Sequence, residues 1–340
     1  MSNKKFLKKL LEAKATSGFE ENAAEIVEKQ FKKVFGNASV DDFYNVTSVY
    51  GEGGPVIYMS AHIDEIGLMV TSVEDDGFLG FCSVGGVDPR VLMAQEVNVM
   101  TDEGALYGII GAKPPHVLSA DDVKKAPKMV DLFIDVGFDG ESAKQKVKVG
   151  DMVTFIAPPI ELLNKKIASK SLDDRMGSVI LIEAYKYIKN KDFKGKAVFC
   201  ASTQEEIGAK GARVSAFRED PDMAVAIDVT HAKTPDSKDN ESFDMNKVCL
   251  GLGPYCDRHM AEVFAQAAKN TDVDIDLDIS GSWTGTDGDE LQTVRAGVPI
   301  SVLEVPLKYM HTTVETLSYK TVKKAGKLLG EFLMLAGGGK

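Results

Sequence analysis

Four runs of the chain, 56–60, 197–201, 223–227 and 298–305, are apolar almost without a break. A strand reads this way when both its faces are buried, the condition of a parallel sheet covered by helices. Helical periodicity fills the spaces between them at 179–189, 260–269 and 314–335. Two further helices are expected between 3 and 35, the second capped by the Thr16-to-Glu21 stretch. Residues 273–279 alternate with period two and read as a half-exposed or edge strand, and Pro299 suits the first positions of its run. The expected fold class is α/β, a mixed, mostly parallel sheet flanked by helices.

Between 70 and 163 the texture changes. Short β-type runs such as 97–100, 105–110, 130–136 and 152–155 alternate with turn signals such as Thr101-Asp102-Glu103-Gly104. Long helical periodicity is scarce there, so the stretch reads as a small β-rich domain inserted into the larger one. The division is then 1–69 with 164–340 for the α/β domain and 70–163 for the insert. Residues 336–340, Ala-Gly-Gly-Gly-Lys, read as a loose tail.

Charge narrows the partners. Lys and Arg number 40 against 51 Asp and Glu, a net charge of −11. Such a surface repels phosphate backbones and anionic lipid, so neither nucleic acid nor membrane is an expected partner. Cys82, Cys200, Cys249 and Cys256 have no CxxC spacing, and the basic start at 4–9 is followed by no continuous apolar core. Both features point to reduced thiols in the cytoplasm.

Chemistry concentrates where strands end, the place where ligands collect in open α/β sheets. The run 197–201 leads into Ser202-Thr203-Gln204-Glu205-Glu206 and then a Gly/Ala-rich helix start. Two adjacent carboxylates there raise one another's pKa unless a cation separates their tasks. His62 and Asp64 follow 56–60, two apart and therefore on one side of an extended chain. Asp173-Asp174-Arg175, Asp228 and His311 fall at comparable points. Singly, each has an ordinary alternative as a cap, an ion pair or a solvated side chain. Together, His62, Asp173, Glu206, Asp228 and His311 form a ligand set for two borderline divalent cations, with Zn²⁺ fitting and Co²⁺ or Mn²⁺ competing. Asp64 supports the His62 ring, and Glu205 remains as general base for a water.

The motifs SAHIDEIG (60–67), VGGVDPRVL (84–92), GIIGAKPPH (108–116), SLDDRMG (171–177), TQEEIGAKGA (203–212), AIDVTHA (226–232), TGTDGDELQ (284–292) and YMHTTVE (309–315) span nearly the whole chain. In this order they resemble the tetrahedral aminopeptidases, the di-metal peptidases of metallopeptidase family 42. That family includes glutamyl and deblocking aminopeptidases, and some members carry the older label cellulase M. The resemblance implies a di-zinc exopeptidase-like fold with a PDZ-like dimerisation insert. It implies Asp173 as the ligand shared by two ions, with His62 and Asp228 completing one site and Glu206 and His311 the other. It also implies Glu205 as the base, a cis peptide between Asp173 and Asp174, and a homo-oligomer of twelve subunits acting on short peptides. The chain departs at Pro306-Leu307-Lys308, where relatives often carry two arginines. The retained charge of Lys308, three residues before His311, suggests a substrate contact favouring acidic or polar N-terminal side chains. Residues 281–287, Gly-Ser-Trp-Thr-Gly-Thr-Asp, either line the substrate pocket or cap a helix.

The expected function is therefore metal-dependent removal of N-terminal residues from peptides. A different di-metal amide hydrolase, a deacylase or carboxypeptidase, shares the same core, and a non-catalytic assembly protein is the alternative from another class. A glycosidase is disfavoured, because it needs two carboxyls about 5–10 Å apart across a sugar and the acids here serve better as ligands.

Overall fold

The computed structural model describes residues 2–238 and 241–338. Its strands, in chain order, begin with β1 (Ser39–Val40), β2 (Val46–Tyr50) and β3 (Val56–His62). Then come β4 (Gly67–Val73), β5 (Leu79–Val84), β6 (Glu96–Thr101), β7 (Gly104–Gly111), β8 (Phe133–Asp135) and β9 (Met152–Phe155). They continue with β10 (Ile160–Leu162), β11 (Lys166–Ser169), β12 (Lys196–Ser202), β13 (Met223–His231) and β14 (Val248–Leu252). The last are β15 (Ile275–Ile279), β16 (Ile300–Leu307) and β17 (Glu315–Ser318).

Eight strands make the main sheet in the order β1-β2-β12-β3-β13-β16-β14-β15. The central four, β12, β3, β13 and β16, are parallel. β2 and β14 turn antiparallel on either side of them, and β15 is the edge strand. Alternate residues serve opposite faces. Ile57, Met59, Ala61, Phe199, Val225, Ile227, Leu303 and Val305 pack under the helices Asn3–Leu11, Glu21–Phe35, Gly177–Ile188, Arg258–Thr271 and Tyr319–Ala336. Tyr58, Val198, Cys200, Ala224, Ala226, Ile300 and Val302 face the thinner layer, which includes helix Lys210–Glu219. Both faces are covered, which is why these strands contain so few polar residues. His62, Asp228 and Glu304 share parity with Tyr58, Ala226 and Val302, so all three point into the thinner layer.

β4 to β9 close an antiparallel barrel in the order β4-β5-β8-β7-β6-β9, around Leu68, Val70, Leu79, Val97, Val99, Ile134 and Val153. β10, β11 and β17 form a separate antiparallel sheet.

Five expectations about local structure are corrected. The final helix begins at Tyr319, not 314, because Glu315–Ser318 is drawn into β17 by pairing with β11. The Thr16-to-Glu21 stretch does not cap its helix, whose N-cap residue Glu20 makes no side-chain cap bond. Instead Ser17 Oγ donates to Asp64, and Thr16 bridges to Glu65. Of the run 130–136 only Phe133–Asp135 is extended, because 129–131 forms a 3-10 turn. β13 continues past Asp228 to His231, so Asp228 lies within a strand. In the expected loose tail, Ala336 still belongs to the last helix, and residues 339–340 lie outside the described chain.

Candidate metal centre

His62 ends β3 and is almost wholly buried, at 1% exposure. Its Nε2 lies 3.1 Å from Asp173 Oδ1 and 3.9 Å from Glu205 Oε2, and its Nδ1 lies 3.4 Å from Asp64 Oδ1. Asp64 is more than a ring support. It also accepts the main-chain N–H groups of Glu205 and Glu206, each at 3.2 Å. The turn that carries the two glutamates is thereby fastened to the segment that carries His62.

Asp173 reaches the cluster from the short segment Leu172–Arg175 that follows β11 of the separate small sheet, so the candidate residues do not all come from strand ends of the main sheet. The Asp173–Asp174 peptide is cis. Glu315 Oε2 accepts the Asp173 N–H at 3.2 Å, and Oε1 accepts the His311 N–H at 3.0 Å. One buried carboxylate therefore positions the main chain of both residues. Arg175, fully buried, donates to the carbonyls of Ile63, Leu10 and Ala13 at 2.9–3.0 Å and to Ala15 at 3.4 Å. It also lies 3.5 Å from Glu65, which is paired with Lys170 as well. That cation ties the N-terminal segment to the turn that presents Asp173.

His311 lies between β16 and β17 with φ 59°. Its Nδ1 lies 2.8 Å from the carbonyl of Gly86, in the loop after β5. A carbonyl can only accept, so Nδ1 carries the proton and Nε2 is left as the lone-pair nitrogen when the ring is neutral. That Nε2 stands 3.4 Å from both Asp173 Oδ2 and Glu206 Oε2.

The donor atoms gather in overlapping groups, with those in each group lying within 4.8 Å of one another. One group is His62, Asp173 and Asp228; another is Asp173, Glu206 and His311. His62, Glu205 and Glu206 make a third. Asp173 offers one oxygen toward each histidine and so stands between the first two groups.

Electrostatics supply the test of fit for cations. Burial raises the pKa of Glu206 to about 8, and the charge of Asp173 adds to this. Burial likewise pushes Glu205 and Asp228 well above the usual carboxylate range, with neighbouring acids reinforcing it. Burial also works against charge on Asp173, but the bonds from His311 and His62 prevail and hold it low. His311 is raised to about 9: burial opposes its charge, and the Asp173 and Glu206 carboxylates outweigh that. A metal-free cluster must therefore hold protons to relieve crowded acids. Divalent cations replace those protons, and two imidazoles with several carboxylates are a donor set suited to Zn²⁺, Co²⁺ or Mn²⁺.

A cavity of about 580 Å³ opens over the cluster. Asp173, Glu205, Glu206, Asp228 and His311 line it, as do Trp283, Thr284, Gly285 and Thr286 from the loop at 281–287. That loop also precedes a short helix, Gly288–Leu291, where Thr286 Oγ1 accepts the Gly288 N–H at 3.0 Å. It therefore serves both roles left open by the sequence. Lys308 does not line the cavity, and its main chain exchanges hydrogen bonds with Thr316. Its position gives no support to a preference for acidic side chains. Glu315, Asp174 and Arg175 are structural participants that residue patterns did not single out by role. Asp174 is fully buried and neither carboxylate oxygen has a hydrogen-bond partner.

A covered, mostly parallel sheet with two histidines and converging acids beside a substrate-sized cavity is the frame of a peptide hydrolase. The family of M42 glutamyl aminopeptidases matches residues 45–328, and the chain belongs to that family. The lysyl aminopeptidase of Pyrococcus furiosus is 32% identical over 334 residues, covering 96% of each chain. The glutamyl aminopeptidase of Lactococcus lactis is 28% identical, covering 90% of this chain and 88% of its own. Among solved structures, the TET aminopeptidase of a marine sediment Thaumarchaeota archaeon superposes with a TM-score of 0.92 at 32% identity, covering 97% of this chain and 95% of its own. The Pyrococcus horikoshii TET1 peptidase, which can assemble into a tetrahedron or a large octahedral shell, gives 0.84 at 34% identity, covering 97% and 98%.

Proposed function

We propose that the chain is a two-metal aminopeptidase that shortens peptides from the N-terminus with Glu205 as general base. The observation that carries this reading is that two of the three donor groups share Asp173 and each of these two holds one histidine. His62, Asp173 and Asp228 would hold one divalent ion, and Asp173, Glu206 and His311 the other, with Zn²⁺ first among Zn²⁺, Co²⁺ and Mn²⁺. When bound, such a pair supplies a polarised scissile carbonyl and a water acidified toward neutral pH.

The residues of the chain do the rest. Glu205 lines the cavity and takes the proton released by the water. It then returns that proton to the departing amine. Its carboxylate faces His62 at 3.9 Å and makes no closer ion pair among the described residues, which keeps it free for transfer. Asp64 fixes the turn from which Glu205 projects, and the Gly86 carbonyl fixes the His311 ring.

Assembly into a tetrahedral homo-oligomer of twelve subunits fits the same reading. The tetrahedron described for the P. horikoshii peptidase is one support. Exposed apolar side chains outside the main sheet are another: Val117 at 65%, Val130 at 86% and Leu163 at 88%. The expected compartment is the cytoplasm, consistent with four free cysteines.

Chelation followed by elemental analysis tests the reading. Activity on a peptide with a free amine should vanish with the metal and return with Zn²⁺ or Co²⁺, while the N-acetylated peptide stays uncut throughout. Full turnover by demonstrably metal-free protein overturns it, and cleavage of both peptides points to a different amide hydrolase. Light scattering of active protein should give the mass of a large oligomer rather than a monomer.

A further inference from the structure

The cavity over the metal cluster carries a second set of acids that the chemistry does not use: Asp278, Asp289, Glu290 and Glu304. Among the described residues, no lysine or arginine lines it. Two of the acids are already engaged. Asp289 accepts the N–H groups of Thr284 and Gly285 at 2.9 and 3.0 Å, and Glu290 is paired with Arg213 at 2.7 Å. Asp278 has only a neutral partner, accepting from Thr230 Oγ1 at 2.6 Å.

Glu304 stands apart from all of these. It is 7% exposed, and its Oε2 has no hydrogen-bond partner. Burying a carboxylate oxygen without a donor is costly, and a cation arriving beside it would relieve that cost. Burial, and then the charge of Asp278, pushes its carboxyl well above the usual range.

Its place in the fold says what arrives. Glu304 is the register partner of Asp228 across β13 and β16. The two side chains leave the same face about 5 Å apart, one strand spacing. Asp278 lies further along that face on β15, opposite Gly251 of β14. A peptide whose first carbonyl sits at the metal cluster therefore sends its N-terminal side chain toward Glu304 and Asp278. Tyr255 and Trp283 in the same lining offer apolar faces for a long aliphatic stem and attraction for a cation at its end.

We propose that Glu304, with Asp278, forms the subsite that selects lysine or arginine as the N-terminal residue of the substrate. This rests on the aminopeptidase reading above. An ammonium or guanidinium supplies the counter-charge that Glu304 lacks, whereas leucine leaves it unpaired and glutamate adds a like charge.

The test uses the metal-loaded protein with the p-nitroanilides of Lys, Arg, Leu and Glu. Lys and Arg should give the highest kcat/KM. In Glu304→Gln the Lys-to-Leu ratio should fall by about 30-fold, in line with removing one partner of a buried charge pair. Asp278→Asn should lower the same ratio to a smaller extent, and it serves if the first variant folds poorly. Binding gives a readout apart from turnover: L-lysinamide should raise the Tm of the wild type more than L-norleucinamide, and Glu304→Gln should erase the difference. An unchanged ratio overturns the inference, as does an equal loss for Lys and Leu, which would assign Glu304 to the α-amine common to both. If Leu or Glu is the best substrate, the inference falls while the aminopeptidase reading stands. If none of the four is cleaved, both fall.

Discussion

Asp64 accepts the main-chain N–H of Glu206 at 3.2 Å through Oδ2, while its Oδ1 stands 3.4 Å from His62 Nδ1. One buried carboxylate thus sets the orientation of one candidate ligand and the backbone of another. Replacing a group that orients metal ligands typically costs about 10–100-fold in metal affinity. Asp64→Asn should therefore lose affinity in that range, measured by competition with a chromogenic chelator. Wild-type affinity would remove Asp64 from the account.

Glu205 and Glu206 are adjacent but differ in their neighbours. Glu206 Oε2 lies 3.4 Å from His311 Nε2, within the group that includes Asp173. Glu205→Gln should keep its metal and its peptide binding while kcat drops by about 10²–10⁴-fold, the usual loss with a general base. Glu206→Gln should lose metal first and recover part of its activity at high metal concentration. Elemental analysis beside kcat decides, and the opposite pattern reverses the two roles.

Metal binding should release protons. In the metal-free cluster His311 has a pKa of about 9 and Glu206 of about 8, so both hold a proton at pH 7. A cation must displace those protons. Affinity should climb as pH rises from 6 toward 8, by at least about tenfold per unit for each proton displaced, and flatten above 9. Calorimetry at pH 7 in two buffers of different ionisation enthalpy counts the protons directly. A buffer-independent heat would contradict the protonated cluster.

A Cβ on Gly86 would stand 2.8 Å from His311 Nδ1. That is closer than real side chains approach, and the contact is the very atom that bonds the Gly86 carbonyl. Gly86→Ala should displace the ring, lowering occupancy of the Asp173–Glu206–His311 group and sparing the His62 group. Metal titration should then show one tight and one weak ion in place of two tight ones.

Arg175 is a structural counterpart to these ligands. Truncating it removes a charged donor from four carbonyls, of which Leu10, Ala13 and Ala15 keep another donor, and leaves Glu65 with Lys170 as its ion-pair partner. Losing a buried charge-assisted hydrogen bond costs about 1.5–3 kcal/mol. Arg175→Met should lower unfolding stability by that order in urea titration, with metal present at saturation.

The sequence carries some of these facts openly and conceals others. β3, β12, β13 and β16 are legible because burial on both faces leaves apolar runs, and His62, Glu205 and Glu206 are legible as polar residues where β3 and β12 end. Glu315 is hidden because 314–335 has helical periodicity, and only pairing with β11 pulls its first residues into a strand. Asp173 gives no hint that the strand before it belongs to a different sheet, since pairing between distant strands leaves no mark in a local pattern. Arg175 binds main-chain carbonyls, and such contacts have no sequence signature at all. Glu304 looks like an ordinary polar residue in a buried strand until the lack of a partner becomes visible.

The two donor groups draw on positions from 62 to 311, and the second of them needs His311, which the chain supplies only near its end. A nascent chain that has emerged as far as Asp228 has His62, Asp173 and Asp228 in hand but neither His311 nor Glu315, the residue that holds the Asp173 backbone. Under the proposed assignment, it can offer one incomplete binding place and cannot retain a pair. Under that assignment, uptake of the second ion waits until His311 has emerged and folded into place, and a chain cut before His311 cannot hold the pair.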